Sequence, residues 1–192
     1  MKLCLAIAVV VAFVAAQQPA PTCKPPMQWE SYEHHLSGES HSFARRKVSY
    51  DETNQRVRIV EQYDQENETR QYFDILYLYN EHKYYLYNLG TQACEQRPLN
   101  EPFHSRGVPE GATYSGQYYF GAAVDPVNSV YVNSYKGDTQ YGYYTGYFTN
   151  TSCLPIYHTH YHSDGTLTVS FYFDVTLGFS DPGVFIPPSA CL

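Results

Sequence analysis

Charged residues are scarce in this sequence of 192 residues, and basic residues are the scarcest. Only 16% of positions are charged, with 12 Lys and Arg against 19 Asp and Glu, so the formal net charge is −7 at pH 7. No block of basic residues occurs. The composition therefore argues against nucleic acid as a partner and against attraction to anionic membranes at neutral pH.

The signatures of common catalytic and metal sites are also missing. The sequence has no G-x-S-x-G, H-E-x-x-H or phosphate-loop motif, no EF-hand spacing and no C-x-x-C pair. Acidic residues occur in loops, where turn formation explains them better than a calcium site does. We therefore expect a protein that is not an enzyme, with no catalytic residues and no cofactor, and the metal ligands, if any, stay unknown.

The N-terminus has the pattern of a secretory signal peptide. A basic start, an apolar run from Leu3 to Val14 and small residues up to Ala16 predict cleavage after residue 16. Residues 17–22 form a proline-rich lead-in, and residues 23–192 have the length of one domain. We expect a secreted protein whose net charge is −8, because Lys2 leaves with the signal.

Cysteines and glycosylation sequons support export. Cys4 lies in the signal, and the even number of cysteines that remain predicts two disulfide bonds, although spacing alone leaves three pairings open. Sequons begin at Asn67 and Asn150 and predict N-linked glycans. The remaining cysteines are Cys23, Cys94, Cys153 and Cys191.

Hydrophobic residues alternate with a period of two from Met27 onward, and no helical period persists beyond about two turns. Short turn-like segments separate the alternating runs, which is typical of hairpins. The pattern predicts a single antiparallel all-β domain. The expected strands are residues 44–50, 56–63, 71–79, 83–89, 129–135, 140–148, 155–162 and 167–179.

The longest of these runs, residues 167–179, alternates between apolar and mixed positions without a miss. Its apolar face includes Phe171, Phe173 and Val175, which we expect to line a cavity between sheets. In the run 71–79 both faces are apolar, so either Tyr77 or Leu76 could face inward. A sandwich core with a dimer or loop cover would explain these faces as well as a ligand cavity does.

Three histidines alternate in the run 155–162, at His158, His160 and His162. On a strand they share one face with neighbours about 6.6 Å apart, so they can supply only two ligands to one metal ion. A second interpretation is a pH sensor, because three imidazoles that gain charge near pH 6.5 would allow contact with an anionic membrane in an acidic compartment. The third interpretation is a solvated strand face.

Four segments of the sequence are distinctive: CKPPMQWE (23–30), NQRVR (54–58), FDILYLYN (73–80) and DPGVFIPPSAC (181–191). Together they resemble the ependymin-related family of secreted glycoproteins. The resemblance implies two stacked, curved antiparallel sheets that enclose a hydrophobic pocket, similar to bacterial lipoprotein-carrier domains, and often a homodimer. Carried over by position, it implies the disulfides Cys23–Cys153 and Cys94–Cys191.

The resemblance also implies a function. It points to binding of lipids or other hydrophobic molecules, including anionic lipids at acidic pH, in a secreted or lysosomal protein. Calcium binding and cell-matrix adhesion are also attributed to the family. The leading hypothesis is therefore a non-enzymatic carrier, and the alternative is a calcium-binding extracellular glycoprotein of cell-matrix adhesion.

Overall fold

A computed structural model describes residues 22–192, which form eleven β-strands and three short 3-10 helices. The expected signal peptide and all of the lead-in except Thr22 lie outside the described residues. Within residues 22–192 no helix has the length and apolar character to cross a membrane. The strands are β1 Gln28–Ser37, β2 Ser42–Asp51, β3 Arg56–Gln65, β4 Gln71–Leu78, β5 Lys83–Asn88, β6 Cys94–Pro98, β7 Thr113–Phe120, β8 Val130–Thr139, β9 Gly142–Thr149, β10 Pro155–His162 and β11 Leu167–Leu177.

The strands form one antiparallel sheet in the order β6-β5-β4-β3-β2-β1-β11-β10-β9-β8-β7. Strands β1–β6 and β7–β11 are two meanders, joined where the first and last strands of the chain pair. The expected all-β antiparallel class is confirmed. The two sheets that the resemblance implied are the two halves of this continuous sheet.

One face of the sheet, here named the cavity face, carries the central hydrophobic core. Trp29 is fully buried in it, with its ring centroid 5.0 Å from that of Tyr50 and 5.9 Å from that of Tyr172. These aromatic rings come from β1, β2 and β11, so the core stabilises the joint between the two halves. The cluster is completed by Val48, Val57 and Ile59.

A β-bulge in β11 changes which of its side chains face this core. The pairing of β1 with β11 shifts register between Glu30 and Tyr32. Opposite the shift, Asp174 has a φ of 50°, a left-handed conformation that aspartate tolerates better than most residues. The extra residue reverses the alternation. Val175 therefore packs against the central core, whereas Phe173 remains on the other face.

The segment after β11 packs on the other face of the sheet, here named the outer face. Arg58 anchors it, because its Nη1 donates a 2.7 Å hydrogen bond to the carbonyl of Val184 while its Nε donates to Asp74 at 2.7 Å. Apolar side chains from β4, β5 and this segment form a second buried cluster. Its members are Leu76, Leu78, Tyr85 and Phe185.

Both disulfides implied by the resemblance are present. Cys94–Cys191 ties the end of the chain to β6, and Cys23–Cys153 ties the start of the described chain to the turn between β9 and β10. The bonds join residues 97 and 130 positions apart. Each therefore restricts a large part of the unfolded chain.

Candidate functional site

A cavity of about 640 Å³ opens on the cavity face of the sheet. Strands β1–β4 supply one wall, β9–β11 supply the other, and residues 101–110 of the β6–β7 connection lie over it. Its volume falls within the range of roughly 300–1,000 Å³ that is usual for small-molecule sites. The two halves of the sheet thus enclose one site.

The connection between β6 and β7 is held against both halves of the sheet. The Phe103 ring stacks on Tyr50 of β2 with 5.8 Å between centroids, and the backbone N–H of Arg106 donates to the Tyr50 hydroxyl at 3.2 Å. On the other side, the His104 ring hydrogen-bonds to the Tyr141 hydroxyl at 3.1 Å. This connection therefore forms a cover over the cavity.

A buried carboxylate, Glu33 on β1, lines the cavity. Its Oε1 accepts a 2.6 Å hydrogen bond from Ser170 Oγ, and Arg106 Nη1 lies 3.6 Å from its Oε2. Burial opposes ionisation, but the contact with His35 and the charges of Arg106 and Arg46 outweigh it and hold the pKa of Glu33 well below its usual range. His35 Nδ1 lies 3.6 Å from Oε1, which is too long for a hydrogen bond, and it is instead within hydrogen-bond distance of Ser170 Oγ at 3.0 Å.

The three alternating histidines of β10 point into this cavity. Ring centroids of His158 and His160 are 6.0 Å apart, and those of His160 and His162 are 5.7 Å apart. His158 Nδ1 contacts the Tyr172 hydroxyl at 3.4 Å, and His162 Nε2 contacts Thr168 Oγ1 at 3.2 Å. The row is therefore part of an internal polar surface and not a solvated strand face.

The location of the row changes its expected response to acid. Burial lowers the pKa of His158 to about 3 and also lowers the pKa of His160. The cavity reaches these rings, yet protein atoms surround them, so charging them is unfavourable. For His158 and His160, the cationic surface strip expected near pH 6.5 does not fit this arrangement. Within residues 22–192 no group of three or more His, Cys, Asp or Glu side chains is arranged to hold a metal ion.

The opposite wall of the cavity is apolar and aromatic. Val57 and Ile59 of β3 lie beside Tyr77 of β4 and Tyr79. Tyr77 stacks on Tyr79 with 6.1 Å between centroids, and burial raises its pKa to about 12. The cavity thus has a polar wall and an apolar wall, which suits an amphipathic molecule.

The residues expected to line the pocket lie on different faces of the sheet. Tyr77 lines the cavity, but Leu76 is buried on the outer face in the second cluster. Phe171 and Phe173 are 38% and 45% exposed on the outer face, and Val175 packs in the central core. The reason is that β11 turns its polar positions toward Glu33 and the histidines, which require hydrogen-bond partners. Those positions are Thr168, Ser170 and Tyr172.

The apolar positions at the start of β11 line a more open groove on the outer face. The groove has a volume of about 660 Å³, and its lining includes Leu36, Phe43, Leu167 and Val169. Its lining also includes polar residues such as His41, Asp64 and Glu66, and the groove is more open to solvent than the cavity. We therefore regard the cavity as the stronger candidate for a ligand site.

Sequence patterns did not identify four central residues of the cavity. Glu33 and Arg46 are direct cross-strand neighbours on β1 and β2, and the sequence pattern did not predict β1. Tyr144 was one tyrosine among 21. Arg106 lies in a connection without strand pattern, so no local signal could assign it.

Comparison with known proteins identifies the family. Residues 67–191 match the family model described as Ependymin. Mammalian ependymin-related protein 1 of Rattus norvegicus is 30% identical over 173 residues, which cover 90% of this chain and 77% of that protein. Both matches extend over most of the domain.

Solved structures show a similar fold. An uncharacterized conserved protein from Thermus thermophilus superposes with a TM-score of 0.54 at 9% identity, over 86% of this chain and 88% of that one. A LolA superfamily protein from Nitrosomonas europaea is more distant, with a TM-score of 0.36 at 9% identity, over 86% of this chain and 92% of that one. By its sequence, this chain belongs to the ependymin family.

Proposed function

We propose that this chain is a non-enzymatic carrier that binds a lipid or another hydrophobic molecule in the cavity of its sheet. The observation that supports the proposal is the cavity of about 640 Å³ with its apolar wall of Val57, Ile59, Tyr77 and Tyr79. Apolar walls with a few well-placed polar groups are usual in small-molecule sites. A ligand there would be shielded from water by the β6–β7 connection.

The chemistry of the cavity favours binding over catalysis. A general base works best when its pKa is close to the working pH. With a pKa of about 3, His158 is too weak a base at neutral pH. Ser170 Oγ also lies 3.0 Å from His35 Nδ1, but it donates its single hydrogen to the Glu33 carboxylate, so it accepts from the imidazole. No activated nucleophile results from this arrangement.

An extracellular location is part of the proposal. Two disulfides are typical of proteins that fold in an oxidising compartment. Asn67 and Asn150, the two sequon asparagines, are both exposed and so are accessible to glycosylation. Lysosomal residence, a homodimer, calcium binding with cell-matrix adhesion, and a preference for anionic lipids at acidic pH remain predictions from the resemblance.

The decisive experiment identifies what the purified protein carries. Native mass spectrometry, followed by organic extraction, should detect a bound lipid or other hydrophobic molecule. A fluorescent lipid probe should then bind the wild type and the Thr159→Trp variant but not Thr168→Trp. These threonines lie on adjacent strands, yet only Thr168 lines the cavity.

Two outcomes would contradict the proposal. Equal uptake by the two folded variants would place the ligand outside the cavity. A protein that carries nothing, takes up no probe and attaches to matrix only with calcium would favour the adhesion alternative.

A further inference from the structure

Three buried polar atoms in the cavity lack a hydrogen-bond partner among residues 22–192. They are Glu33 Oε2, Tyr144 Oη and His160 Nε2. Glu33 and Tyr144 are only 2% and 3% exposed, and all three residues line the cavity. Buried polar groups are nearly always paired in folded proteins, so unpaired ones in a cavity point to a ligand that pairs with them.

Two of these atoms belong to the neighbouring strands β9 and β10 and the third belongs to β1, and together we name them the polar floor. Tyr144 of β9 pairs with His160 of β10, and their ring centroids are 5.0 Å apart. Gly146 makes room for the tyrosine, because a Cβ at that position would collide with its hydroxyl. Glu33 lies beyond β11, where it is bound by Ser170. The polar floor therefore comprises atoms from β9 and β10 and, on the far side of β11, from β1.

The donor and acceptor properties of the polar floor restrict its ligand. The Glu33 carboxylate can only accept a hydrogen bond, so the ligand must supply a donor. The Tyr144 hydroxyl, which burial keeps protonated by raising its pKa, and the neutral His160 ring can each donate or accept. An alcohol hydroxyl both donates and accepts. A carboxylate or phosphodiester head has no donor for Glu33.

The charges around the cavity lead to the same restriction. Three glutamates and two arginines line it: Glu33, Glu101, Glu110, Arg46 and Arg106. Arg46 Nε already donates to Glu61 at 2.7 Å, and each arginine lies within 3.9 Å of Glu33. Both arginines thus already share their charge with Glu33, so an anionic head would compete with that carboxylate for them, which makes its desolvation costly.

We propose that the cavity holds an amphiphile with an uncharged hydroxyl head, which hydrogen-bonds to the polar floor while its hydrocarbon part lies against Val57, Ile59 and Tyr77. This inference rests on the proposed carrier function and adds the chemical class of the head group. It differs from the acid-dependent binding of anionic lipids that the resemblance implies.

Competition between two probes of equal chain length tests the head group. Dodecanol and dodecanoate should each be titrated against a bound fluorescent lipid probe at pH 7.5, where dodecanoate is ionised. We expect the wild type to bind dodecanol at least about tenfold more tightly than dodecanoate. Only the alcohol can donate a hydrogen bond to Glu33, and only the carboxylate carries a charge that must be desolvated. In Tyr144→Phe this advantage should shrink several-fold, and in the outer-face control Tyr143→Phe it should persist.

The possible failures are distinguishable. If neither compound competes and no lipid probe binds, the carrier function itself is refuted. If both compounds compete equally, or if Tyr144→Phe leaves the preference for dodecanol unchanged, the polar floor does not select the head group. Its atoms are then hydrogen-bonded only to water. Should Tyr144→Phe not fold, His160→Leu removes a second atom of the polar floor and should cause the same loss of preference.

Discussion

Ser170 Oγ donates a 2.6 Å hydrogen bond to Glu33 Oε1, and this bond joins the last strand of the chain to the first. The two residues are 137 positions apart and both are buried. The bond orients a carboxylate that also lies within 3.9 Å of two arginines. It therefore connects the joint of the sheet to the polar wall of the cavity.

The first prediction concerns this hydrogen bond. In Ser170→Ala the Glu33 carboxylate loses its closest donor while it remains buried, so the free energy of unfolding should fall by about 1–3 kcal/mol. Urea denaturation measures the change. The control is Thr176→Ala, an exposed threonine on the same strand, which should change stability by less than about 0.5 kcal/mol. Equal effects would show that the bond contributes nothing specific.

Acid stability provides the second prediction. Burial lowers the pKa of folded His158 to about 3 from a reference value of 6.5, so between these values the unfolded chain binds a proton that the folded chain does not. Stability should therefore fall as pH drops below about 6.5, with a contribution from this group of at most about 1.4 kcal/mol per pH unit. Denaturation from pH 6.5 to 4.5 should show a shallower decline for His158→Gln. An exposed-turn control, His41→Asn, should retain the wild-type slope.

The disulfides give a third prediction. Replacing both Cys94 and Cys191 by serine should lower stability by about 2–5 kcal/mol, because the bond restricts a long stretch of unfolded chain. The pair Cys23 and Cys153 should behave similarly. Peptide mapping under non-reducing conditions should recover both pairs in the wild type, and recovery of any other pairing would contradict the structure.

The packing of Tyr144 over Gly146 gives a fourth prediction. In Gly146→Ala the new methyl group collides with the tyrosine hydroxyl, so the ring must move and stability should fall by about 1–3 kcal/mol. Uptake of a lipid probe should fall as well, because the ring lines the cavity. Gly90→Ala serves as the control, since residue 90 is exposed and its added Cβ is close only to the Asn88 side chain. Unchanged stability and uptake in Gly146→Ala would refute the packing argument.

Local sequence patterns were sufficient for the class of fold and for most of its strands. Period-two alternation identified the segments of β2–β5 and β8–β11, since strand side chains alternate between faces. The strands β1, β6 and β7 were missed. Most residues of β6 and β7 are exposed, and β1 buries the carboxylates Glu30 and Glu33 on opposite faces, so no simple alternation marks these strands. Gly178, with a φ of 74°, directly follows the last residue of β11.

The location of the cavity could not be predicted without the tertiary structure. Alternation shows that residues 167–177 have an apolar and a mixed face, but it does not show which face is enclosed. In the folded protein the mixed face is enclosed, because Ser170 and Tyr172 meet Glu33 and His158 there and satisfy buried polar groups. Segments far apart in the chain supply these partners, and only the pairing of β1 with β11 brings them together. The long-range strand pairing therefore decided the location and the polarity of the cavity.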